Sequence, residues 1–121
     1  MFVGIHTIDF KKFCKIAVKP HFRSRILTSQ EMKFLMQKDF STRILAEMYV
    51  LKGAFIKAMG GAGPGCKCSE ISILSDYSGT PYISLTGKTK KLFDQKRCKM
   101  SLSSSTNRIT ATGIVIFMPI Q

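Results

Sequence analysis

The stretch TRILAEMYVLKGAFIKAM, residues 42–59, decides the fold. Ile44, Met48, Leu51, Phe55 and Ala58 recur at helical spacing and form one apolar stripe. Leu45, Tyr49, Val50 and Ile56 widen that stripe well past one face, so this helix is expected to be buried on most sides, within the domain or between subunits. Gly53 sits in its middle, where glycine costs about 1 kcal/mol relative to alanine. Either something packs closely there or a side chain has been lost.

Outward from this helix, the N-terminal side reads as strand then helices. Phe2–Ile8 is apolar and β-branched, a strand that Asp9 ends, and Asp9 can cap the next helix. Phe10, Phe13, Cys14 and Ala17 share an inward helical face. Lys11, Lys12, Lys15 and Lys19 fall within about 100° of one another on the opposite side. Pro20 is read as the stop of that helix. Thr28-Ser29-Gln30-Glu31 is a capping-box signature, with Glu31 reaching back to the cap. It opens a short helix to about Lys38, with Met32, Leu35 and Met36 directed to the core.

On the C-terminal side, Gly60-Gly61-Ala62-Gly63-Pro64-Gly65 follows a helix instead of preceding one. A helix C-terminus repels phosphate, so the run reads as a cap and turn unless Lys57 or Lys67 supplies attraction. Glu70–Leu74 and Pro81–Thr86 read as strands around a turn at Ser75–Thr80. A basic stretch, Lys88–Lys99, precedes strands at Met100–Ser103 and Thr110–Phe117. Helices early and antiparallel strands late give an α+β fold: one domain over residues 1–121, with a mainly antiparallel sheet packed on a long apolar helix.

The 121 residues carry 19 Lys plus Arg against seven Asp plus Glu, a formal net charge of +12. Such an excess repels itself and is expected to serve an acidic partner. No apolar run approaches the roughly 20 residues of a membrane helix, and no signal-peptide pattern is present, so a cytoplasmic protein with no membrane partner is expected. Cys14, Cys66, Cys68 and Cys98 read as reduced thiols, because no second pair at zinc spacing completes Cys66-Lys67-Cys68. G-x-S-x-G and H-E-x-x-H motifs are absent, and Gly87-Lys88-Thr89 has Tyr82 where a P-loop needs glycine. Residues alone point to a basic domain that binds something anionic.

Five segments in order resemble the holo-acyl-carrier-protein synthases, the small phosphopantetheinyl transferases. The strand ending in Asp9 with its basic helix resembles the family start, and Arg25-Ile26-Leu27-Thr28-Ser29-Gln30-Glu31 resembles R-x-L/F-T-x-x-E. Lys52-Gly53-Ala54-Phe55-Ile56-Lys57-Ala58-Met59-Gly60 resembles K-E-A-F-x-K-A-x-G. Gly79-Thr80-Pro81-Tyr82 resembles G-K-P-Y, and Ser101-Leu102-Ser103-Ser104 resembles S-I-S/T-H.

The resemblance implies transfer of phosphopantetheine from coenzyme A to a serine of acyl carrier protein. It implies magnesium, held here by Asp9, between the diphosphate and the protein. It gives catalytic parts to Asp9, Lys52 and Glu31, with Glu31 and metal-bound water as candidate proton acceptors. Coenzyme A contacts fall on Lys52, Lys57, Gly60, Gly61, Gly79, Pro81 and Ser104. Carrier-protein contacts fall on Lys11, Lys12, Lys15, Lys19, His21 and Arg25. It further implies a homotrimer with sites between subunits and a place in fatty acid biosynthesis.

This sequence departs from the pattern at several positions. Gly53 stands at the second metal carboxylate, Ser104 at the histidine, Thr80 at the lysine of G-K-P-Y, and Met48 at an arginine. These departures motivate an alternative, a weakened relative that binds coenzyme A or carrier protein without transfer. A nucleic-acid binder explains the charge but none of the ordered segments, so no nucleic-acid partner is expected.

Overall fold

A computed structural model describes residues 1–61 and 65–120. The remaining part of the glycine-rich run, residues 62–64, lies outside the described residues, and with it the middle of the expected turn. The order is β1 (Phe2–Asp9), α1 (Phe10–Ala17), α2 (Pro20–Ile26), α3 (Ser29–Gln37) and α4 (Thr42–Ala58), then a 3-10 turn (Cys68–Glu70). There follow β2 (Ile71–Ser75), β3 (Pro81–Leu85), α5 (Gly87–Gln95), β4 (Cys98–Thr106) and β5 (Thr110–Pro119).

All pairing is antiparallel, in two sheets: β1-β5-β4 and the β2-β3 hairpin. The expected α+β class holds, with the N-terminal strand joining the late ones through β5. α4 crosses the inner face of the larger sheet, and small residues let it come close. A Cβ at Gly4 would lie 1.8 Å from the Ala54 carbonyl oxygen, and one at Gly113 would lie 2.8 Å from the Val50 carbonyl carbon. Leu45, Val50, Leu51 and Phe55 of α4 are buried against Val115 and Phe117 of β5. Each large side chain of this kind contributes about 1.5–3 kcal/mol by leaving water.

The capping box at Thr28 is formed in full, and Asp9 caps α1 by accepting the Lys12 amide at 3.0 Å. Three expectations change. Pro20 occupies the first turn of α2 and so starts a helix instead of only stopping one. The basic stretch contains α5, whose first amides, those of Lys88 and Thr89, donate to the carboxylate of Glu70. Met36 is 61% exposed, and Phe34 packs inward with the buried Leu35. Among the described residues no helix is long and apolar enough to cross a membrane.

Candidate functional site

The seam between β1 and α4 gathers most of the chemistry. Gly4, His6 and Ile8 alternate toward α4, as the period of a strand requires. His6 lies directly on Gly53, whose Cβ, if it had one, would be 2.8 Å from the imidazole Cγ. Tyr49 meets the same ring edge-on, with centroids 5.7 Å apart. A largely apolar cavity of about 140 Å³ opens here, bounded by His6, Tyr49, Gly53, Ile56 and Cys68. His6 Nδ1 is buried without a hydrogen-bond partner among the described residues. Burial first, and then the nearby charge of Lys57, hold the imidazole below its ordinary pKa. Lys57 is exposed and donates to the Ile5 carbonyl at 3.0 Å, so its ammonium stands at the mouth of this seam.

Lys52 projects from the same helix into the interior. Its ammonium lies 2.5 Å from the Glu31 carboxylate, with side chains 3% and 0% exposed. It also donates to the carbonyls of Ile26 and Cys68. The Glu31 carboxylate accepts the Thr28 amide at 2.9 Å and the Ile73 amide at 2.9 Å. Every one of these groups is engaged. Lys52 and Glu31 thus join α4, α3 and β2 at one buried point.

Asp9 is exposed at the end of β1 and is occupied as the α1 cap. It borders a second apolar hollow of about 210 Å³ with Lys12, Phe13, Phe22 and Tyr49. The magnesium expected on Asp9 is not matched by these residues. Position 53 on α4 supplies no carboxylate to the seam, because it is glycine and the space beside it is filled by the His6 ring. Nor do any three His, Cys, Asp or Glu side chains of the described residues cluster as metal ligands. The four cysteines are free, with Cys98 buried.

At its far end α4 is followed by a pair of glycines with positive φ. Gly60 and Gly61 have φ of +109° and +98°, and their amides donate to the carbonyls of Lys57 and Ile56. That double bond pattern satisfies carbonyls that otherwise repel an anion. Nothing among the described residues lies within 4 Å of where their Cβ atoms would be. A hollow of about 270 Å³ beside it is bordered by Met59, Cys66, Gln95 and Lys96. Burial, and secondarily Glu70, push the Cys66 thiol up. Lys96 supplies a cation that the family pattern does not point to, although the basic stretch that holds it is visible in the sequence.

Other expected contacts lie apart from this end. Gly79 and Pro81 belong to the β2–β3 turn, and Gly79 shares a hollow with Ile44 and Glu47 in the first turns of α4. Ser104 sits on β4 opposite Gly113, whose backbone faces Val50. A helix rises about 1.5 Å per residue, which separates Gly79 from Gly60 by roughly 20 Å along α4. One chain does not bring these residues to Lys57, Gly60 and Gly61. Lys11, Lys12, Lys15, Lys19, His21 and Arg25 are all exposed on α1 and α2 and the short link between them. Arg23 ties the two helices by donating from Nε to the Ala17 carbonyl at 2.6 Å.

Comparison with known proteins places this arrangement. No family model matches the chain. A holo-[acyl-carrier-protein] synthase of Vibrio vulnificus is 36% identical over 98 residues, 79% of this chain and 78% of that protein. The solved holo-[acyl-carrier-protein] synthase of Neisseria meningitidis superposes with a TM-score of 0.85 at 27% identity, covering 96% of each chain. An ACPS–coenzyme A complex from Chronobacterium ammoniagenes shares the fold, with a TM-score of 0.84 at 22% identity over 99% of this chain and 98% of that one. With its β1–α4 seam, its glycine-ended α4 and its basic α1, the chain belongs to the holo-acyl-carrier-protein synthase family.

Proposed function

We propose that this protein transfers the phosphopantetheine arm of coenzyme A to a serine hydroxyl of acyl carrier protein. The observation that carries the reading is the hollow at the glycine-ended terminus of α4 with Lys96 on its wall, in a chain that belongs to this family. A coenzyme A complex of a structural relative supports a phosphate-rich ligand at such a fold.

In the step, the serine oxygen bonds to the phosphorus that carries the pantetheine arm. The phosphoanhydride bond breaks, its electron pair leaves on adenosine bisphosphate, and the serine proton goes to water or the leaving phosphate. Lys57 and Lys96 hold the phosphates and offset the charge of the leaving group. No part of the step runs through magnesium, because Asp9 and Gly53 do not compose a site for it.

The exposed lysines of α1, with His21 and Arg25 on α2, serve as the landing face for an acidic carrier protein, raising the encounter rate by long-range attraction. Gly79, Pro81 and Ser104 reach the cofactor from a neighbouring copy. The outer face of the larger sheet supports such an assembly: Val3, Ile5 and Met118 are 49%, 52% and 52% exposed there, an apolar surface of the kind a homotrimer covers.

A second reading is a relative that binds coenzyme A or carrier protein without transfer. The occupation of Asp9 as a helix cap favours it. The fate of coenzyme A in a mixture with apo-acyl carrier protein separates the two. Conversion to adenosine bisphosphate supports transfer, and binding with no conversion supports the second reading.

A further inference from the structure

The His6–Gly53 contact leaves an imidazole where a metal-binding carboxylate is expected to project. Nδ1 is sealed over Gly53, 2.9 Å from where a Cβ would be. Nε2 has no hydrogen-bond partner among the described residues, and the His6 side chain as a whole is half-buried. An unpaired buried N–H costs about 1–3 kcal/mol, so the neutral ring carries its proton on Nε2 and leaves only a lone pair in the dry position. That geometry presents one N–H donor from the wall of the seam, next to the strand residue that receives Lys57.

We infer that His6 is a phosphate-binding residue whose Nε2 donates to the diphosphate of coenzyme A beside Lys57, so that an imidazole and an ammonium meet the anion in place of a divalent cation. This inference rests on the transferase reading and adds to it the residue that stands in for the metal.

The charged and titratable groups around His6 are consistent with an anion and offer no competing carboxylate among the described residues. α4 presents Tyr49, Lys57 and Lys52, and Lys52 is neutralised by Glu31 of α3. The 3-10 turn presents Cys68, α2 presents the apolar Ile26, and β5 pairs His6 with Gly113, which has no side chain. Burial and Lys57 keep the free imidazole uncharged near neutral pH. A bound diphosphate reverses that balance, so binding takes up a proton and tightens as the pH falls.

The test is calorimetric titration of coenzyme A into the full-length protein in the presence of a chelator, across about pH 8 to pH 6. Wild type is compared with His6→Phe, which keeps a ring on Gly53 but has no N–H, and with His6→Gln. Their thermal melts check folding. The wild type is expected to bind without magnesium, and His6→Phe to bind about tenfold more weakly. The difference between the two, which cancels the ligand's own protonation, should widen toward low pH. The His6 Cε1 proton resonance should titrate at higher pH when coenzyme A is bound, a readout independent of the variants. Equal affinity for wild type and His6→Phe, an unmoved His6 titration, or wild-type binding that requires magnesium would overturn the inference while leaving the transferase reading intact. Absence of coenzyme A binding with and without magnesium would instead overturn the transferase reading, and this inference with it.

Discussion

Glu31 and Lys52 form an ion pair 2.5 Å apart in the interior, one from the first turn of α3 and the other from the middle of α4. The carboxylate closes a capping box and anchors β2 through the Ile73 amide, so the pair fastens three elements at one point. Breaking a buried pair strands the surviving charge, at a cost of about 3–5 kcal/mol. Lys52→Ala is therefore expected to lower the melting temperature by on the order of 10 °C or more. A calorimetric melt checks this. An unchanged melt together with lost coenzyme A affinity would return the ammonium to a ligand-binding part.

Gly53 is tuned to His6. In an open helix, Gly→Ala gains up to about 1 kcal/mol. Here the new methyl meets the stem of the ring, and overpacking of this kind costs about 1–3 kcal/mol. Gly53→Ala is expected to destabilise the wild type and to stabilise His6→Ala, giving a coupling of at least about 1 kcal/mol in a double-mutant cycle. For the same reason Gly53→Glu, which reinstates the family carboxylate alone, should lose stability. Additive effects in denaturant titrations would show that the two residues are independent.

The α1 lysines point to water with no acid among them in the helix. Reversing Lys11, Lys15 and Lys19 to Glu should slow association with an acidic carrier protein by about tenfold or more at low ionic strength. The rate should also lose most of its dependence on salt. Stopped-flow association across a salt series reads both quantities, and an unchanged slope would assign the charge to another ligand.

The exposed apolar residues of β1 give the assembly a direct check. Ile5→Lys places a charge on the outer face of the sheet without touching α4. Sedimentation should find the wild type trimeric at micromolar concentration and the variant monomeric. A monomeric wild type would remove the proposed contribution of Gly79, Pro81 and Ser104 from a neighbouring copy.

Local chemistry accounts for the parts of this molecule that could be read in the sequence. The Thr28 box, the α4 stripe and the turn in which Asp76 accepts the amides of Ser78 and Thr80 are each set by residues within a few positions of one another. α5 is hidden in the sequence because its cap, Glu70, arrives from well upstream, and that carboxylate sits below its usual pKa chiefly through the hydrogen bond from Thr89. α2 is hidden because proline stops one helix and starts another with the same fixed φ. At the site, the oddity of Gly53 is visible in the sequence, but its partner is not, since His6 reaches it only through the docking of β1 on α4. Lys52 reads as a phosphate ligand beside Lys57, and only tertiary burial distinguishes the two.

The intact mass of apo-acyl carrier protein, after incubation with coenzyme A and this protein, tests transfer most directly. One sample contains a chelator and the other excess magnesium. Addition of one phosphopantetheine arm in both samples, with adenosine bisphosphate released in equal amount, is the predicted result. An unchanged carrier mass in both samples, from a protein that still binds coenzyme A, would contradict it.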